Sequence, residues 1–224
     1  MLKSIKTSVI AAILISSAVV ASAQKKVTEG TITYGLTYDL TADQKDKAAQ
    51  LPAETKFKFN GDLLKVEMDQ GPAKITLVSD GVNKTGLVLV DVPIAQKQYA
   101  VKVSKEETEE TMGKTPVFTD FKATGEKLKV GNYNTEKYTY KDEKGAPAEL
   151  WATTDIQLPL GIIGTEFKDV KGTPVKFTRS QNGIKATVTI KNLVEEKVGP
   201  VTLDVPSGYE VTTMDALRAM GGGQ

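Results

Sequence analysis

The sequence contains no cysteine and no histidine among its 224 residues. Without cysteine the chain cannot form a disulfide framework, a thiolate nucleophile or a thiolate metal site. Without histidine it cannot form a Ser-His-Asp triad or an imidazole ligand. It also lacks the phosphate-binding P-loop, the GxSxG nucleophile motif and the His-Glu-x-x-His zinc motif. We therefore expect a protein that is not an enzyme, with no cofactor, no metal site and no catalytic residues.

Neither sign of charge predominates in this sequence. It has 29 Lys+Arg against 28 Asp+Glu, a formal net charge of +1, and 40% hydrophobic residues. This balance is ordinary for a soluble globular domain. A nearly neutral chain has no long-range field that would attract a polyanion, so we predict no nucleic-acid partner.

The first 23 residues have the pattern of a secretory signal peptide. Lys3 and Lys6 precede an apolar stretch at residues 9–20, and Ala21-Ser22-Ala23 gives a small-x-small cleavage pattern. As a helix this apolar stretch would be roughly 18 Å long, against roughly 30 Å of hydrocarbon in a bilayer, so it is too short for a membrane anchor.

We therefore expect cleavage after Ala23 and a periplasmic or extracellular protein with no integral membrane span after processing. The mature chain, residues 24–224, has no linker or internal repeat that would divide it. We predict a single β-rich domain, with residues 220–224 as a frayed tail.

Apolar and polar residues alternate along most of the mature chain, as in residues 32–38 and 184–190. This alternation is typical of antiparallel sheet with one wet and one dry face. Asn60-Gly61 and Asn182-Gly183 predict two-residue hairpin turns, which would pair Phe57 with Leu64 and Phe177 with Val188. Residues 201–205 alternate in the same way and predict a further strand.

Helical signals are few and short. Thr41 with Gln44, and Ser104 with Glu107, are capping-box patterns, and residues 214–220 can form a short helix. These segments are too short and too polar to cover a dry sheet face. We therefore predict a mainly β fold with a single strongly curved antiparallel sheet, a half-open barrel, in which a few short helices form a partial lid.

The inward rows of this predicted sheet supply the candidates for a ligand cavity. They are Tyr34, Tyr38, Phe57, Leu64, Val66, Met68, Tyr99, Val101, Tyr138, Tyr140, Phe177 and Val188.

The candidates for the rim of that cavity are Trp151, Leu158, Leu160, Ile162 and Ile163. Trp151 fits a second small core, a platform that stacks on a ligand, or an exposed partner contact. The apolar loop at residues 158–164 fits either a plug at the open end of the sheet or a flexible rim at a cavity mouth.

Carboxylates alone could support hydrolysis, as in glycosidases. The candidate acids are Glu67, Asp69, Glu149 and Asp155, and alternation favours a surface position for Glu67, Asp69 and Glu149. A carboxylate-based hydrolase is therefore the least favoured of three functional interpretations.

Four segments carry a resemblance to a known family. They are residues 131–138 (GNYNTEKY), 149–155 (ELWATTD), 172–177 (GTPVKF) and 205–210 (VPSGYE). Together they resemble an uncharacterised family of secreted Gram-negative envelope proteins, similar in plan to the lipoprotein-carrier (LolA/LolB-like) superfamily. The resemblance implies a half-open antiparallel barrel with a helical lid, an apolar interior, and carriage of a lipid or acyl chain. That family supplies no established catalytic residues.

The favoured interpretation is thus a non-enzymatic periplasmic binding or carrier module for a lipid, an acyl chain or another apolar small molecule. The alternative is a structural or interaction protein of the envelope whose interior is filled by its own side chains. The sequence leaves the protein partner and the oligomeric state open.

Overall fold

The computed structural model of the chain describes residues 24–181 and 183–221. The predicted signal peptide, Asn182 of the predicted second hairpin turn and residues 222–224 of the predicted tail lie outside the described residues.

The described chain forms fourteen strands and a few short helices. The strands are β1 (Lys25–Lys26), β2 (Glu29–Asp39), β3 (Glu54–Asn60), β4 (Leu63–Gln70), β5 (Ala73–Asp80), β6 (Gly86–Val92), β7 (Lys97–Val103), β8 (Thr119–Val130), β9 (Tyr133–Lys141), β10 (Pro147–Thr153), β11 (Ile156–Gln157), β12 (Thr173–Gln181), β13 (Ile184–Val194) and β14 (Glu210–Val211). The α-helices are α1 (Lys105–Met112), α2 (Leu160–Ile163) and α3 (Met214–Gly221), and 3₁₀ helices occupy Ala42–Gln50, Pro93–Ala95 and Thr165–Phe167.

Twelve of these strands form one sheet, which confirms the mainly β prediction. Its order is β14-β7-β6-β5-β4-β3-β2-β13-β12-β10-β9-β8, and all neighbours are antiparallel except β14 and β7. Strands β2 to β7 form one meander, and β8, β9, β10, β12 and β13 form another. The two meanders join where β13 pairs with β2. Strands β1 and β11 form a separate parallel pair.

One hairpin register agrees with the prediction and the other does not. Phe177 lies opposite Val188, as predicted. In the β3–β4 hairpin, however, the two loop residues are Gly61 and Asp62, because Asn60 still pairs with Leu63 in the ladder. Gly61 adopts the positive φ of +57° that the turn requires.

The corrected register places Leu64 opposite Phe59 instead of Phe57. Because this shift amounts to two residues, every side chain keeps its predicted face of the sheet.

Both capping boxes are present. The Ser104 amide donates to Glu107 Oε2 at 2.7 Å, and helix α1 follows. The Thr41 amide donates to Gln44 Oε1 at 3.2 Å, and a 3₁₀ helix follows. Residues 201–205, by contrast, do not form the predicted strand. They lie over a sheet face, where their apolar side chains pack without pairing at an edge.

The sheet has apolar side chains on both faces, in two separate clusters. The first cluster lies on what we call the inner face, which carries Ile32, Phe59 and Phe177, all 4% exposed or less. The second cluster lies on the outer face of β5–β7. Its buried members are Val78, Leu87, Leu89 and Ala100, and Val201, Leu203, Val205 and Tyr209 cover them.

Tyr209 fastens this covering segment to the outer face. Its hydroxyl contacts both carboxylate oxygens of Asp91, at 2.7 and 2.8 Å, and Gln98 donates to the same carboxylate at 2.6 Å. Partial burial and the Asp91 hydrogen bond raise the pKa of Tyr209 to about 12.

Candidate ligand-binding face

The continuous register from β2 to β7 fixes which side chains share the inner face. Ile32 pairs with Phe57, Phe59 with Leu64, and Val66 with Leu77. Side chains of directly paired residues point to the same side of a sheet. The inner row therefore continues from the first cluster across β4–β7.

The twelve cavity candidates fall into two groups by burial. Tyr34, Val101, Tyr138, Tyr140, Phe177 and Val188 are buried. Tyr38, Phe57, Leu64, Val66, Met68 and Tyr99 are half-buried.

The inner face is filled where it is formed by β8–β13. The Phe118 ring lies 5.0 Å from that of Tyr140 and 5.5 Å from that of Phe167, and the Phe167 ring lies 4.9 Å from that of Phe177. Phe121 stacks on Tyr140 at 5.1 Å. These side chains contact one another and fill this part of the inner face. The sequence analysis missed Phe118, which precedes β8, Phe121, which lies in β8, and Phe167, which ends a 3₁₀ helix, because no alternation predicted these segments.

The inner face is open where it is formed by β4–β7. Val90 and Val101 are buried there, at 8% and 2% exposed, but seven other apolar side chains are half-buried, and within the described residues they belong to neither packed cluster. They are Val66, Met68, Ile75, Leu77, Val88, Tyr99 and Val103. We call these seven residues the open row.

Residues 158–167, which we call the plug, cover the end of the sheet at which the Gly61-Asp62 turn lies. Among the rim candidates, Leu158, Ile162 and Ile163 are buried in the first cluster, and Leu160 packs against it. The Gly161 amide donates to Asp62 Oδ1 at 2.7 Å, which ties the plug to the β3–β4 turn.

Trp151 is half-buried and packs against the first cluster from the strand that also carries Leu150. Its neighbours across the sheet are Lys137 and Lys176. No second core surrounds it among the residues described here.

A cleft of about 500 Å³ opens beside the plug. Three rim candidates, Leu158, Leu160 and Ile163, line it together with Phe167 and Val170. Its mouth is polar, formed by residues that include Lys26, Asp62 and Lys168. The volume is within the range of small-molecule sites, but none of the twelve cavity candidates lines this cleft.

One ion pair lies at the inner face. Arg179 Nη2 donates to Glu166 Oε1 at 2.7 Å, and the Arg179 guanidinium lies 5.2 Å from the centre of the Phe177 ring. The Glu166 side chain is 6% exposed and that of Arg179 is 47% exposed. The sequence analysis missed this pair, although Arg179 is two residues from Phe177 in the same strand and therefore points to the same face of the sheet.

The tyrosines near this pair remain neutral over a wide range of pH. Burial raises the pKa of Tyr34 to about 12, although the positive charge of Arg179 opposes that shift. Burial, with the nearby carboxylates of Asp142 and Glu166, raises the pKa of Tyr140 to about 12. Neither hydroxyl is therefore a base at physiological pH.

The candidate acids of the hydrolase interpretation form hydrogen bonds and ion pairs away from the inner face. Glu67 binds Lys58 at 2.9 Å and Lys65 at 3.6 Å, and the hydrogen bond from Lys58 is the largest cause of the lowered pKa of Glu67. Glu149 binds Lys137 at 2.9 Å, and Asp155 accepts from the Asn134 amide at 2.8 Å. Asp69 is exposed.

No protein-family model matches the chain, and no curated protein is significantly similar to it. In the part of the chain that the structure describes, no cluster of acidic side chains could hold a metal ion. No helix among the described residues is long and apolar enough to cross a bilayer.

Proposed function

We propose that the protein is a non-enzymatic carrier or binding module for a lipid or acyl chain, and that the chain of the ligand lies on the open row. The observation that carries this proposal is the unequal cover of the inner face. The half formed by β8–β13 is packed by aromatic rings, whereas on β4–β7 only Val90 and Val101 are buried and the seven residues of the open row are half-exposed and outside both packed clusters. An apolar ligand on them would remove this surface from water, at about 25 cal/mol for each Å².

The dimensions of the open row suit an extended hydrocarbon chain. Neighbouring strands lie roughly 4.8 Å apart, so the four strands β4–β7 span roughly 14 Å from first to last axis. Only Tyr99 in this row carries a polar side-chain atom. This composition favours methylene groups over a sugar, a peptide or a nucleotide.

We further propose that the sheet is strongly curved, as in a half-open barrel. Strands β7 and β8 are consecutive in the chain but ten strand spacings apart in the sheet, roughly 48 Å if the sheet were flat. Residues 104–118, which we call the strap, connect them and include the eight residues of α1. At about 1.5 Å for each helical and 3.6 Å for each extended residue, the strap reaches only about 40 Å. Curvature would bring the two edges within that reach.

The filled-interior alternative remains a second candidate, because the aromatic packing of the other half favours it. It predicts that no ligand binds the open row. The resemblance to the lipoprotein-carrier superfamily supports the carrier proposal, because the resemblance and the proposal both imply an exported protein with an apolar interior.

Export to the periplasm or the exterior is part of the proposal, and N-terminal sequencing of the exported protein tests it. We expect the protein to begin at Gln24, and a protein that begins at Met1 would refute export by signal-peptide cleavage.

Lipid analysis of protein purified without detergent, with displacement of a fluorescent fatty acid, tests the binding itself. We expect a co-purifying lipid and competitive displacement in the wild type. Leu77→Lys places a charge in the open row and should abolish binding while leaving the fold intact, because Leu77 is half-exposed.

The matched control is Thr76→Lys, which places the same charge one residue away on the outer face. It should bind like the wild type. If the wild type carries no lipid and displaces no probe, the filled-interior alternative holds.

A further inference from the structure

We propose that the turn between β6 and β7 docks on the surface of a lipid bilayer, with the side chain of Ile94 inserted among the acyl chains. This inference rests on the proposed function, because a carrier for an acyl chain exchanges its ligand with a membrane. It adds the partner surface and the end of the sheet at which the ligand enters.

The exposure of Ile94 is the first argument. Among the described residues it is the most exposed large hydrophobic side chain, at 87%, and it belongs to neither packed cluster. The 3₁₀ helix Pro93–Ala95 forms the turn, and the Gln96 amide closes it by donating to the Pro93 carbonyl at 3.1 Å. Because proline also fixes its own φ, the turn holds the Ile94 side chain in water.

The position of this turn is the second argument. In an antiparallel meander, successive turns alternate between the two ends of the sheet. The β3–β4 and β5–β6 turns lie at the plug, so the β4–β5 and β6–β7 turns lie at the opposite end, which we call the free end. The open row extends towards the free end through Met68, Ile75 and Tyr99. An acyl chain can therefore pass between this row and a bilayer at the free end without passing the plug.

The composition of the turns is the third argument. The two turns of β4–β7 at the free end, residues 71–72 and 93–96, contain no charged side chain. At the plug, the β3–β4 turn contains Asp62 and the β5–β6 turn contains Lys84. Burial of a charge in hydrocarbon is costly, so the free end can approach the apolar part of a bilayer and the plug end cannot.

The shape of the β6–β7 turn favours a bilayer over a protein partner. A stable protein interface takes about 800 Å² from each partner, whereas this turn offers one large apolar side chain between Pro93 and Ala95. Binding to a bilayer depends instead on the apolar area that is inserted. Lys97, which follows the turn and is exposed, can place its ammonium group among the lipid phosphates.

Co-sedimentation with vesicles of phosphatidylcholine and phosphatidylglycerol measures the docking. We expect the wild type to bind and Ile94→Gln to bind at least about tenfold more weakly, because an isoleucine no longer enters the hydrocarbon. Binding of a fluorescent fatty acid in the absence of vesicles should be unchanged in this variant, which also shows that it is folded. The matched control is Val82→Gln in the β5–β6 turn, where Val82 is 40% exposed, and it should bind vesicles like the wild type.

A fluorescent label tests whether position 94 itself enters the bilayer. Because the sequence has no cysteine, Ile94→Cys and Val82→Cys each provide a single site for a nitrobenzoxadiazole label. On addition of the same vesicles, the emission of the label at position 94 should shift to the blue, since the label leaves water. The emission of the label at position 82 should not shift.

The results that would overturn the inference are distinguishable from failure of the proposed function. If the wild type binds the fatty acid but not the vesicles, or if Ile94→Gln binds vesicles as tightly as the wild type, Ile94 is not a membrane anchor and the carrier proposal still stands. If Ile94→Gln converts a dimer into a monomer in sedimentation velocity, the turn is a contact between copies of the chain. If the wild type binds no fatty acid in solution, the proposed function fails and this inference fails with it.

Discussion

At the scale of single residues, two glycines allow the plug to approach the sheet. A Cβ at Gly161 would lie 2.4 Å from the backbone oxygen of Asp62, and a Cβ at Gly81 would lie 2.1 Å from the backbone oxygen of Gly161. Both distances are far shorter than a van der Waals contact. The plug can therefore pack against this end of the sheet only if these two positions carry no side chain.

Gly161→Ala should destabilise the protein by about 2–3 kcal/mol, because the plug must move away from the β3–β4 turn. Urea denaturation measures this loss. The control is Gly71→Ala, where φ is +57° but no atom lies within 4 Å of the added Cβ. This control should cost only about 1 kcal/mol of backbone strain. Equal losses in the two variants would contradict the close approach.

Ionisation of Tyr209 should lower the free energy of unfolding as the pH rises in the alkaline range. The folded pKa of about 12 lies above the ordinary value of 10.0. A raised folded pKa contributes stability that is fully present below pH 10 and is lost as the pH rises from 10 towards 12. The physical cause is that ionised Tyr209 would be partly buried beside the Asp91 carboxylate, to which it can no longer donate.

Tyr209→Phe should cost about 1 kcal/mol at neutral pH, since Asp91 loses a donor. The difference between wild type and variant should then shrink above pH 10. Urea midpoints for both proteins across this range provide the measurement. Tyr34 and Tyr140, also raised to about 12, are present in both proteins and cancel in the difference. A difference that stays constant up to pH 12 would show that this hydrogen bond does not couple to folding.

At the scale of elements, the strap is anchored at its ends and exposed between them. The Ser104 capping box begins α1, and Phe118 enters the aromatic packing of the inner face. Helix α1 has no buried residue, and the strap side chains of Met112 and Val117 are 62% and 71% exposed. Its fixed position therefore depends on its two ends.

Phe118→Ala should release the C-terminal end of the strap and cost about 2–3 kcal/mol. Hydrogen–deuterium exchange should increase across residues 104–118 while the amides of β2 and β13 stay protected. The neighbouring Val117→Ala is the control, and it should change stability by less than about 0.5 kcal/mol because Val117 is exposed. Unchanged exchange in Phe118→Ala would mean that another contact holds the strap.

Local signals in the sequence predicted the elements better than the contacts between them. Alternation predicted the strands at residues 32–38 and 184–190 and the faces of both hairpins, and serine–glutamate spacing predicted the start of α1. Residues 201–205 have the same alternation but form no strand, because their apolar side chains cover the second cluster. A period of two shows that every second side chain is buried. It does not specify whether the backbone hydrogen-bonds to a neighbouring strand or lies across the face of a sheet.

At the scale of the whole molecule, the sequence could not show that the two halves of the inner face differ. Phe118 and Phe167 come from the strap and the plug, which are far apart in the chain, and they meet over Tyr140 and Phe177. Within the described residues the open row belongs to neither packed cluster, although Val90 and Val101 beside it are buried. Long-range packing of loops therefore decides which half is filled, and single-residue patterns carry no information about it.

The measurement that tests the central claim most directly is a methyl NMR titration of the protein with a spin-labelled fatty acid. Strands β5 and β6 each have methyl groups on both faces of the sheet, so the outer-face methyls are the control for those of the open row. Resonances of Ile75, Leu77 and Val88 in the open row should broaden on binding, while those of Val78, Leu87 and Leu89 on the outer face should not. Broadening confined to the outer-face methyls, or no broadening at saturating ligand, would contradict the account.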